Sequence, residues 1–67
     1  MKRWNTLQRK QTTNKDIDAF ISDIIKVYIK HSMSISHEDN QGAFQIEKYL
    51  QRNINWLNTA HDCITTK

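Results

Sequence analysis

Ser34-Ile35-Ser36-His37-Glu38-Asp39-Asn40-Gln41-Gly42-Ala43-Phe44-Gln45-Ile46 is the stretch on which the fold turns. Before the centre, Met33, Ile35 and His37 alternate with Ser34, Ser36 and Glu38; after it, Phe44 and Ile46 alternate with Gln45 and Glu47. A period of two is the mark of a β-strand with one face turned to a core. The one glycine among 67 residues, Gly42, lies between the two runs and takes φ > 0 without steric penalty. The stretch therefore predicts an antiparallel hairpin with the ionisable group His37-Glu38-Asp39 at its tip, and a core face of Met33, Ile35, Phe44 and Ile46.

Upstream, Ile17, Phe20, Ile21, Ile24, Ile25 and Tyr28 recur at the i, i+3, i+4, i+7 spacing of an amphipathic helix. Thr13 and Asp16 have capping-box spacing, Asp16 and Asp18 put negative charge in the first turn, and Lys26, Lys30 and His31 put positive charge in the last. These signals bracket a helix over residues 14–31. Val27 and Ile29 widen its apolar face beyond one stripe, which points to contact on two sides, with the chain's own sheet and with either a second copy in a homodimer or a binding partner. Downstream, a second helix is expected over residues 50–63, with Leu50, Ile54, Leu57 and Ile64 on one ridge and Asn53, Trp56, Ala60 and Cys63 on the next.

The expected class is α+β: a small single domain over residues 14–67, helix-strand-strand-helix, with the hairpin packed against two helices. Ser36 and Asp39 also have capping-box spacing, and Ala43, Ile46, Leu50, Ile54 and Leu57 could share a helical face. That alternative is an all-α three-helix domain with a helix-turn-helix. The hairpin is preferred because glycine inside a helix costs ~1 kcal/mol and the Ser-Ile-Ser segment alternates.

Net charge is +3, but the excess is local. Residues 1–13 hold Lys2, Arg3, Arg9 and Lys10 with no acid, leaving six Lys/Arg against seven Asp/Glu in the remainder. The first thirteen residues read as a basic arm, either solvated and mobile or with Trp4 folded back on the core. A chain this short buries only roughly 60% of its unfolded surface, so association would support it. The lone Cys63 has no intramolecular partner, which points to a reducing cytoplasm. No apolar run approaches the roughly 20 residues of a membrane span, and no signal-peptide segment follows Lys2 and Arg3. No membrane partner is expected.

Ser36-His37-Glu38-Asp39-x-x-Gly42-Ala43-Phe44, followed by Ile46, Tyr49, Asn53, Trp56-Leu57 and Ala60, resembles small proteins encoded by bacteriophages and prophages. The likeness covers about residues 17–60, and here Asn40-Gln41 precede the glycine. The resemblance implies a habitat, the cytoplasm of an infected bacterial cell, rather than a reaction.

His37, Glu38 and Asp39 could serve a metal or acid/base chemistry, yet zinc wants three or four ligands. His31, His61, Asp62 and Cys63 show no ligand spacing. No cofactor, metal or catalytic site is expected. The cluster reads instead as turn structure, with Asp39 or Asn40 bonding backbone N–H groups, or as a recognition loop. The expected function is that of a non-enzymatic binding protein that engages a host macromolecule or sequesters a small signalling ligand. For a host protein, the candidate contacts are Glu38, Asp39, Tyr49 and Trp56, with the hairpin edge free to add a strand. For a nucleotide ligand, they are Ser36, His37 and the Gly42 backbone, with Arg3 and Arg9 neutralising phosphate. The alternative is a small DNA-binding regulator using the helix-turn-helix and phosphate contacts from Lys2, Arg3, Arg9 and Lys10. Cys63 is read as an inert thiol.

Overall fold

The computed structural model describes residues 1–37 and 42–66. The chain is α+β: β1 (Lys2–Asn5), β2 (Lys10–Thr13), α1 (Lys15–His31), β3 (Met33–Ser36), β4 (Gln45–Lys48) and α2 (Gln51–Leu57). β1 pairs antiparallel with β2, and β3 with β4, in separate two-stranded sheets.

The basic segment is thus a hairpin. Its Asn5 side chain builds the turn, accepting from the N–H groups of Leu7 at 2.9 Å and Gln8 at 2.7 Å. Arg9 closes it in the left-handed conformation, φ 57°.

α1 runs within one residue of its expected bounds, but its cap is Asn14 rather than Thr13. Asn14 Oδ1 accepts from the N–H groups of Asp16 at 2.8 Å and Ile17 at 3.1 Å. At the far end Ser32 turns left-handed, φ 55°, and its N–H returns to the Ile29 carbonyl. The chain then passes directly into β3.

β3 and β4 hold the register Met33↔Lys48, Ser34↔Glu47, Ile35↔Ile46 and Ser36↔Gln45. Gly42 sits at φ 84°, a conformation that L side chains rarely adopt. Segment 43–50 contains a strand where the three-helix alternative needs helix, so the helix-turn-helix does not form.

Two further features differ from the sequence expectation. The face expected in the core points outward: Met33, Phe44 and Ile46 are exposed and only Ile35 is half-buried, whereas Ser34 and Ser36 are buried. The reason is polar pairing with α2. Ser34 Oγ donates to the Lys48 carbonyl at 2.7 Å and accepts from Asn53 Nδ2 at 2.8 Å, so the serine side of the sheet closes on the helix. In addition, α2 stops at Leu57 rather than residue 63. The Arg3 guanidinium reaches across to take the Ala60 carbonyl at 2.9 Å and the Asn58 carbonyl at 3.4 Å, so the chain turns out of the helix. Asp62 then bridges β1: its N–H donates to Trp4 C=O at 2.8 Å, and its C=O accepts from Thr6 N–H at 2.9 Å.

The buried apolar residues among those described are Ile21, Tyr28 and Ile54, with Arg3, Asn5, Ser34, Ser36, Asn53 and Asp62 as their buried polar company. The molecule is a slab, 36 × 28 × 15 Å.

Candidate functional site

The serine side of β3–β4 and the exposed flank of α2 form an open cleft of about 390 Å³, lined by Ser36, His37, Gln45, Glu47, Arg52, Asn53 and Trp56. Strand alternation puts Ser36 and Glu47 on one face, while positions 52, 53 and 56 of α2 lie above them. Glu47 is its chemical centre. Oε2 accepts from Asn53 Nδ2 at 3.2 Å and Oε1 from Arg52 Nη2 at 3.4 Å. The Ser36 hydroxyl lies close enough to favour the carboxylate charge without the geometry of a full hydrogen bond. Ser36 first, then Asn53 and Arg52, hold the Glu47 carboxyl below the usual glutamate range, so it is ionised at neutral pH.

One wall is aromatic. His37 and Trp56 meet edge to face, with ring centroids 5.8 Å apart and an interplanar angle of 78°. Trp56 keeps 39% of its surface exposed, enough to receive another flat group. The arrangement offers an anionic acceptor on the floor and an apolar plane beside it.

The structure brings together three of the residues marked in the sequence: Ser36, His37 and Trp56. Tyr49 is elsewhere, over a shallow depression shared with Ile29 and Ser32. Gly42 precedes β4 and does not line the cleft. Glu38 and Asp39 lie outside the described residues. Arg3 and Arg9 belong to the N-terminal hairpin. Arg9 is exposed with Lys2 and Lys10, but Arg3 is 97% buried and donates to Asp18 Oδ1 at 3.0 Å, which removes it as a phosphate contact. Gln45, Glu47, Arg52 and Asn53 line the cleft without being marked as site residues by any motif in the sequence. An amide at Asn53, in register with the apolar ridge of α2, was the signal for a buried polar partner beneath it.

Among the described residues, no three His, Cys, Asp or Glu side chains converge as a metal site, and no helix is long and apolar enough to cross a membrane. Comparison with protein-family models, curated proteins and solved structures gives no match.

Proposed function

We propose that the chain is a non-enzymatic binding protein of the infected bacterial cell, and that it engages a host protein through the α2/β3–β4 cleft. The observation that carries the reading is the Glu47 carboxylate, held by Asn53 and Arg52, in an open cleft walled by Trp56. A carboxylate so placed accepts from a partner's backbone N–H, amide or cationic side chain, while the indole plane takes the apolar remainder of the same segment. This supports a protein partner over a nucleotide. The charges of Arg52 and Glu47, the described cation and anion lining the cleft, offset one another and leave no net positive charge for a phosphate, and Arg3 is committed to Asp18 and the Ala60 carbonyl.

Native mass spectrometry of tagged protein recovered gently from host lysate tests the reading. A stoichiometric host protein is expected on the wild type, weakened about tenfold or more by Trp56→Ala, the scale of an interface tryptophan. Glu47→Gln should also weaken it. A retained mass of only a few hundred daltons would make the cleft a small-ligand site. Capture undiminished by both substitutions would move the interface off the cleft.

A further inference from the structure

We propose that a second copy of this chain covers the outward apolar face, forming an isologous dimer about a two-fold axis at Ile24 of α1. Phe20, Val27, Met33 and Ile46 are 65%, 55%, 52% and 61% exposed, and the last three line one groove between α1 and the outer face of β3–β4. Phe20 and Val27 are seven residues apart and share a helical row. Val27 and Tyr28 then form, with Met33, Ile35 and Ile46, an apolar groove of about 220 Å³.

The single chain is under-covered by two measures. Its surface is 5229 Å², against roughly 4,450 Å² for a folded monomer of 8.0 kDa. Its radius of gyration is 13.1 Å, against roughly 11 Å for 67 compact residues. The four side chains alone offer roughly 400 Å². That is about half of the roughly 800 Å² each partner gives to a standard interface, the rest to come from the helix and sheet surface around them.

The occupant is another copy because knob and groove are carried by the same face at matching distances from one point. Two α1 helices crossing antiparallel at Ile24 set position 20 of each opposite position 28 of the other. Each Phe20, about 6 Å along the axis from Ile24, then reaches the groove beside Tyr28 of its neighbour. Apart from His31 at its end, the groove is lined by uncharged side chains, so it offers no charge pattern that would select a differently charged partner.

Sedimentation equilibrium from micromolar to millimolar concentration tests this. The wild type is expected at about twice 8.0 kDa, and Phe20→Asp at 8.0 kDa with helical circular dichroism retained. Ile29→Asp, on the opposite flank of α1, should leave the doubled mass intact. Because a residue on a two-fold axis faces itself, Ile24→Cys in a Cys63→Ser background should join two chains through a short thiol crosslinker, and Ile29→Cys should not. The crosslink decides the matter if Phe20→Asp fails to fold. A wild type at 8.0 kDa throughout, an unchanged mass for Phe20→Asp, or crosslinking at Ile29 but not Ile24 would overturn the proposal.

Discussion

Arg3 does more for the architecture than its place in a basic segment suggests. It is buried, pairs with Asp18 on α1, and takes the two carbonyls that end the C-terminal turn, so one side chain joins the N-terminal hairpin, the long helix and the tail. Arg3→Ala leaves those carbonyls without a donor, and an unfolding loss of about 3 kcal/mol is expected in urea titration. Arg3→Lys should recover only part, because one ammonium cannot span both groups as a planar fork does. The carboxylates give a second test. Arg3 holds Asp18 below the ordinary aspartate range, Ser36 and Asn53 do so for Glu47, and hydrogen bonds from Thr65 and Ile64 do so for Asp62. Each folded-state value lies below the unfolded one. Their contribution is therefore present at neutral pH and lost as pH falls through the folded values. Melting temperature should be flat above about pH 5 and fall below about pH 4, and Asp18→Asn should flatten that acid limb. An unaltered limb would separate Asp18 from the folding equilibrium.

At the scale of elements, the hairpin's orientation is the feature most open to test. Ser34→Val takes the acceptor from one of the two Asn53 Nδ2 N–H groups and the hydroxyl donor from the Lys48 carbonyl beneath α2, and a loss of about 1–3 kcal/mol is expected. Ile46→Thr on the outward side should change the stability of the dilute chain by roughly 0.5 kcal/mol or less. The reverse order would restore the isoleucine face to the interior. Ser32→Gly should stabilise by about 0.5 kcal/mol, since glycine enters the left-handed cap without a Cβ. These same elements show what a sequence can disclose. The 3.6-residue period and charged ends of α1, and the alternation around Gly42, are local signals, and they located both elements closely. Alternation separates two faces but does not say which is buried. Here a Ser-Asn pairing across 19 residues decided it. β1 and β2, Lys-Arg-Trp-Asn and Lys-Gln-Thr-Thr, have no apolar alternation to read, because their inward positions Arg3 and Asn5 are polar. The stop of α2 is likewise imposed from outside by Arg3. The cleft was legible through Ser36, His37 and Trp56, but Glu47, Arg52 and Asn53 converge only once the serine face has turned inward.

As a whole, the molecule is a thin slab with two unlike sides. The polar side carries the cleft between α2 and β3–β4, and the apolar side, built from the flank of α1 and the outer face of the same sheet, is the one the proposed dimer would cover. The dimer would leave both clefts open on its outer surfaces, so binding and self-association should vary independently: Phe20→Asp would separate the chains without emptying the cleft, and Trp56→Ala would do the opposite. The most direct test of the central claim, that the isoleucine face points out of the chain and meets a second one, is methyl NMR with an inert soluble paramagnetic probe at low and high protein concentration. The expected result is that Ile21 and Ile54 methyls stay protected at both, whereas Val27 and Ile46 are strongly attenuated when dilute and become protected when concentrated. Protection of Ile46 at every dilution would place it inside its own chain, and attenuation at every concentration would leave the face uncovered; either would contradict the account.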